Sequence, residues 1–164
     1  MRVFITGEPG VGKTTLFFKV VNALKERGVK VGGFYCPEVR EAGVRVGFKI
    51  VDLETGKWEW LARVDARSDI KVGKYYVLHD AEKIVEQLSK RVQGYNVIAI
   101  DEIGPMELSL PKVKEFIETS LSSGKHVFAV VHRKVRLKGD YNFTVTVENR
   151  DSLLPEILKA FSTI

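Results

Sequence analysis

The run Gly7-Glu8-Pro9-Gly10-Val11-Gly12-Lys13-Thr14-Thr15 carries the densest chemical signal in the chain, because its first eight residues fit G-x-x-x-x-G-K-[ST] without a departure. Glycines at 7, 10 and 12 let the backbone wrap closely around a polyphosphate, where side chains would block the approach or forbid the dihedrals. Backbone N–H groups then face phosphate oxygens. A helix starting near Lys13 adds the positive end of its dipole, and the Lys13 ammonium is within reach of β and γ phosphates. Thr14 Oγ is placed as a magnesium ligand, and Thr15 as a hydrogen-bond donor to the α phosphate. The structural alternative is a glycine-rich strand-to-helix turn with an incidental lysine.

A second element is the apolar run Val97-Ile98-Ala99-Ile100, ending in Asp101-Glu102. In a doubly wound sheet this strand end lies beside the phosphate loop, so Asp101 is positioned to hold hydrated magnesium. Glu102 is positioned to polarise a water for in-line attack on the γ phosphate, unless it merely caps the next segment. His132 and Arg133 follow another apolar strand, and Arg133 suits the neutralisation of charge that develops during transfer; a solvated basic loop through Lys134, Arg136 and Lys138 explains the same residues. Glu38, Arg40 and Glu41 are expected in the loop after the second strand, where they either frame a substrate or pair among themselves. Trp58 and Trp60 alternate on one face of a strand, a pattern that ordinary packing explains and that a base-stacking platform also uses. Cys36 has no histidine near it in sequence and reads as a small packing residue.

These side chains need a scaffold, and the hydrophobic periodicity supplies one. Arg2 to Thr6 reads as a buried parallel strand, followed by a helix with Leu16, Val20, Ala23 and Leu24 inward and Gly28 as its stop. Val29 to Cys36 reads as the next strand, which completes a βαβ unit. Val44 to Leu53 and Lys57 to Val64, joined at Glu54-Thr55-Gly56, predict an antiparallel hairpin insertion. Tyr75 to Leu78 reads as a short strand. Asp80 is expected to cap a helix through Arg91, and a further helix opens at Pro111 and ends near Gly124. Strands at Val127 to Val131 and Tyr141 to Val147 precede a last helix from Asp151 or Ser152. The fold class is α/β, one domain over residues 1–164 with a central, mostly parallel sheet.

Composition narrows the functions. The 164 residues carry 26 Lys and Arg against 21 Asp and Glu, a net charge of +5. That excess suits anionic ligands, but it is spread along the chain rather than massed as a nucleic-acid block. One cysteine excludes an internal disulfide, and no Cys/His spacing suits zinc. No apolar run approaches the ~18–20 residues that span a bilayer, and nothing resembles a secretory leader, so a cytoplasmic protein without membrane partners is expected. Scarce Asn, Gln, Cys and Met beside abundant Lys, Glu and Arg fit a thermophilic source.

With these motifs placed, the chain resembles the small P-loop nucleoside-triphosphatase family of thermophilic prokaryotes, which includes the vertebrate cancer-related nucleoside-triphosphatase. The resemblance rests on the phosphate loop together with Gly33-Phe34-Tyr35, Glu38-Val39-Arg40-Glu41, the Arg45 to Phe48 stretch, Val72-Gly73-Lys74-Tyr75, the segment from Asp101 to Glu107, and Glu148-Asn149-Arg150. Cys36-Pro37 departs from the Thr-Glu of the family pattern. The resemblance implies a P-loop three-layer sandwich and magnesium-dependent hydrolysis of ATP, GTP and other nucleoside triphosphates. A monomer is expected. No N-K-x-D sequence of the guanine-selective kind occurs, so base choice should be broad, with the Glu148 to Arg150 segment as the candidate base end. Two alternatives stand beside hydrolysis: a nucleotide or small-molecule kinase, and a nucleotide-dependent switch that binds nucleic acid without requiring it for turnover.

Overall fold

The computed structural model describes all 164 residues. Its first strand, β1 (Arg2–Thr6), is buried on both faces, with Phe4 in one core and Val3 and Ile5 in the other. Such continuous burial is what a parallel strand covered by helices requires. α1 (Lys13–Glu26) follows, then β2 (Val31–Tyr35). The insertion contains β3 (Glu38–Glu41), β4 (Val44–Asp52), β5 (Trp58–Arg63), β6 (Ile70–Val72) and β7 (Tyr75–Val77). The chain then returns through α2 (Glu82–Arg91), β8 (Val97–Ile103), α3 (Pro105–Ser109), α4 (Pro111–Ser122), β9 (His126–Val131), β10 (Tyr141–Thr144) and α5 (Leu153–Ala160).

One sheet runs through the molecule in the order β10-β1-β9-β8-β2-β4-β5-β7-β6, with β3 paired to β4. The five strands from β10 to β2 are parallel, and from β4 onward every pairing is antiparallel. Helices α1 and α5 cover one face of the parallel half over Leu16, Phe17, Val20 and Ile157. Helices α2 and α4 cover the other over Val85, Leu88, Val113, Phe116 and Ile117. The result is the expected mixed α/β architecture with a central, largely parallel sheet.

Five local expectations need correction. The expected antiparallel hairpin is present as β4 and β5, but the insertion is larger, five strands continuous with the main sheet, because β4 also pairs with β2 through Phe34↔Asp52 and Tyr35↔Val51. Glu38 to Glu41, expected as a loop, is itself a strand. Asp80 does not cap α2: residues 79–81 form a tight 3-10 turn, the cap position is Ala81, and His79 Nδ1 pairs with Glu82 Oε1 at 2.9 Å. The apolar run ending at Ile100 understates β8, which continues to a fully buried Ile103 paired with Val131. β10 stops at Thr144, short of Val147, because the Asn149 side chain takes over the backbone there, accepting from Thr146 N and donating to Thr144 O, each at 2.8 Å.

Candidate active site

The carboxyl ends of β1, β8 and β9 meet at one edge of the sheet, where doubly wound proteins bind ligands. β1 feeds the loop Gly7 to Gly12. A Cβ on Gly7 would stand 2.5 Å from the Val145 carbonyl oxygen, so only glycine lets the loop pass that backbone. Gly12 sits at φ +102° as the N-cap of α1, a conformation other residues rarely adopt. No side chain caps α1 and its first turn holds no acidic residue, so its N–H groups point toward the loop as an anion site.

Lys13 Nζ donates to the carbonyl oxygens of Gly7 and Glu8, the latter at 3.3 Å, which lays the ammonium across the mouth of the loop. Thr14 Oγ1 donates to Asp101 Oδ2 at 2.8 Å, tying the start of α1 to the end of β8. Asp101 pairs with Val130 and Ile103 with Val131, so Glu102 is an extra residue in β8. Such a bulge breaks the strict alternation of a strand, and both carboxylates line the same cleft. Burial pushes Asp101 up to about 6, opposed by its bond from Thr14 and reinforced by the charge of Glu102. Glu102 is also raised by burial, with Lys13 pulling it back.

The cleft encloses about 750 Å³. Gly7, Pro9, Gly10, Lys13 and Thr14 form its phosphate-loop wall, Arg133 and His132 a second side, and Glu38, Arg45, Phe48 and Tyr75 from the insertion the opposite wall. Arg133 forms an ion pair with Glu8, which fixes the guanidinium at the rim of the loop. His132 accepts from Lys134 N through Nδ1 at 3.1 Å, and burial followed by the Lys13 charge lowers its basicity, so it is a neutral ring at neutral pH. Arg40 and Arg45 both pair with Glu38 at 2.8 Å, so the charges of that segment largely satisfy one another. Thr15 lies outside this cleft, in a separate hollow of about 320 Å³ with Gly12, Leu16, Lys19, Arg150 and Asp151. Arg150 Nη1 donates to Val11 O at 3.4 Å, so the Glu148 to Arg150 segment does reach the phosphate loop on the side away from Asp101.

Two residues define the floor, Glu107, which no pattern of residue types singles out, and Cys36, read from the sequence as a packing residue. Glu107 on α3 is only 4% exposed, yet its carboxyl faces the cleft. A Cβ on Gly104 would stand 3.0 Å from Glu107 Oε1 and 3.2 Å from Glu102 Oε1, so the two acids flank that glycine. Burial, then the charge of Glu102, pushes Glu107 up to about 8, which keeps it neutral at pH 7. Cys36 lies against it, and burial and the Glu107 charge drive the thiol well above its usual range, consistent with a packing residue and not with a nucleophile.

The donor set suits a hard cation that keeps several waters. Thr14 and Asp101 offer two oxygen ligands on the phosphate side, and no group of three or more His, Cys, Asp or Glu side chains is arranged to hold a metal by itself. That pairing fits magnesium, which takes one or two protein oxygens and fills the remainder with phosphate and water.

A family model described as NTPase matches residues 2–158. The nucleoside-triphosphatase THEP1 of Sulfurisphaera tokodaii is 52% identical over 157 residues, spanning 96% of this chain and 92% of the relative. The protein of the same name from Saccharolobus solfataricus is also 52% identical, over 96% and 91%. The crystal structure of THEP1 from Aquifex aeolicus superposes with TM-score 0.82 at 33% identity, covering 99% of both chains. The solution structure of a human cancer-related nucleoside triphosphatase gives TM-score 0.77 at 34% identity over 99% and 97%.

Proposed function

Since the chain belongs to the NTPase family, we propose that it hydrolyses nucleoside triphosphates to the diphosphate and inorganic phosphate, with magnesium and with little selectivity among bases. The observation that carries this reading is the junction of two elements: Lys13 and Thr14 at the start of α1 meet Asp101 and Glu102 at the end of β8, with Thr14 bonded to Asp101 at 2.8 Å. The backbone N–H groups from Gly10 to Thr14 and the Lys13 ammonium hold the β and γ phosphates and offset the charge that moves onto the β–γ bridging oxygen as that bond breaks. Thr14 and Asp101 would hold the magnesium, which neutralises phosphate charge when bound. Glu102 faces the γ-phosphate side, accepts a hydrogen bond from the attacking water and takes its proton as the new O–P bond forms. Arg133, fixed at the rim by Glu8, stabilises charge on the γ oxygens. Glu107 stays neutral below about pH 8, so Glu102 keeps its negative charge beside an uncharged neighbour.

Hydrolysis is favoured over phosphoryl transfer to an organic acceptor because Glu102 stands beside the phosphate loop, where it can align a water for in-line attack. The nucleoside end runs toward the hollow at Thr15, Lys19, Arg150 and Asp151, whose exposed polar side chains can contact a base without enclosing it. The test is phosphate release from ATP, GTP, CTP and UTP with magnesium and with EDTA. All four should turn over within about a thousandfold in kcat/KM, and EDTA should stop each reaction. A greater preference would reveal a dedicated base pocket, and stoichiometric transfer to an offered nucleoside or nucleoside monophosphate would identify a kinase.

A further inference from the structure

The antiparallel half of the sheet has two unlike faces. Phe48, Ile50, Leu61, Tyr75 and Val77 point inward, toward the core shared with α2 and α4. Strand alternation therefore turns Lys49, Trp58, Trp60, Arg63, Tyr76 and Lys71 to the other face. The helix layer on that side lies over the parallel strands, with α1 packed on β2, β8 and β9. Trp58 is accordingly 45% exposed and is not a core residue, so ordinary packing does not account for it.

Cations and rings interleave across this open face. Lys49 pairs with Trp60 across β4 and β5, and Arg63, Tyr76 and Lys71 form one row across β5, β7 and β6. Lys49 Nζ stands 3.8 Å from the centre of Trp58 and 5.5 Å from that of Trp60. Arg63 Cζ stands 4.3 Å from the Trp60 centre, and Lys71 Nζ 5.2 Å from the Tyr76 centre. The two indoles meet edge to face at 5.7 Å. Asp65 and Glu41 pair with Arg63, anchoring it beside Trp60. Three aromatic rings alternating with three cations on an uncovered sheet match the needs of one class of ligand, a flexible polyanion with a flat ring on each unit.

We propose that this face of the insertion is a platform for single-stranded nucleic acid, with bases stacking on Trp58, Trp60 and Tyr76 and phosphates meeting Lys49 and Lys71, while Arg63, held by Asp65 and Glu41, braces Trp60. Stacking of this kind needs unpaired bases and tolerates any sequence, whereas duplex ends offer few free ring faces. The net charge of +5 favours the encounter. The platform uses none of the residues assigned to phosphate chemistry, so binding here and hydrolysis are separable.

The test is fluorescence anisotropy with labelled oligouridylate and oligothymidylate, read together with the protein's tryptophan emission. Saturable micromolar binding with quenching is expected in about 50 mM salt, and about sevenfold weakening at about 200 mM if two phosphates are neutralised. The tighter of the two oligonucleotides identifies RNA or DNA as the ligand. Trp58→Ala should weaken binding about tenfold, and Lys49→Glu, which keeps both rings, should weaken it too, while nucleotide hydrolysis by both variants stays at the wild-type rate. No saturable binding, equal affinity for a duplex of the same length, displacement of the oligonucleotide by ATP, or unchanged affinity in the folded variants would each overturn the proposal.

Discussion

The two long walls of the cleft are built on different principles. On the phosphate side, Gly7 to Thr14 is one unbroken segment between a strand and a helix, and its work is done by backbone N–H groups, a helix dipole and one lysine. On the insertion side, Glu38, Arg45, Phe48 and Tyr75 come from three strands and meet only because β3 pairs with β4 and β5 joins β4 to β7 in one sheet. A wall made of backbone tolerates no change at glycine and is specified locally. A wall made of side chains on paired strands depends on register, and its parts are exchangeable. Phosphate chemistry should therefore fail when the first wall is touched and change little when the second is.

The largest effect falls on the first wall. Lys13→Ala removes the cation at the loop mouth from a partly exposed position, and should lower kcat by about three orders of magnitude with little change in Tm. Near-normal turnover by a folded variant would break the contrast at its strongest point.

The floor between the walls should respond in stability. The carboxyl of Glu107 is raised from the ordinary glutamate value to about 8, so the folded protein holds a proton that the unfolded chain has released. Stability from this group is complete below the unfolded pKa and is lost as pH climbs to about 8. Glu107→Gln, neutral throughout, should flatten that decline and be the more stable protein at pH 8, by on the order of a few kcal/mol, with the two proteins converging near pH 4. Urea melts across that range measure the difference.

Arg150 sharpens the contrast from the other side, since it touches Val11 O yet lies away from Asp101. Arg150→Ala should raise KM about tenfold for all four nucleotides and leave kcat nearly unchanged, the pattern of lost uniform binding. The smallest effect belongs to the insertion wall. Arg45→Ala breaks an exposed ion pair with Glu38 and a stacking contact with Phe48 at 5.7 Å, and should change hydrolysis by less than about threefold. A large loss there would place the insertion inside the hydrolytic machinery.

The same contrast explains what the amino-acid sequence reveals. The phosphate loop, Asp101, Glu102 and Arg133 sit at strand ends whose apolar runs are easy to see, and parallel topology brings strand ends together. The carboxyl of Glu107 is illegible because it lies on a helix of one and a half turns after Gly104, and only the packed structure shows that it turns inward. β3 escapes notice because Glu38-Val39-Arg40-Glu41 is polar on both faces and is held by pairing with β4 rather than by burial. The far end of β8 is hidden for the opposite reason: Asp101 and Glu102 are polar within a buried strand because their side chains serve the site.

The central claim is that Glu102 takes the proton of the attacking water while Asp101 and Thr14 serve the metal. It is tested most directly by single-turnover phosphate release from magnesium-ATP on Glu102→Gln, with binding of the same nucleotide measured in parallel. The amide has nearly the volume of the carboxylate, so binding should stay within a few-fold of wild type while the chemical step slows by about two orders of magnitude or more. Wild-type release rates from a variant that binds magnesium-ATP normally would contradict the account and return the choice of base to another group in the cleft.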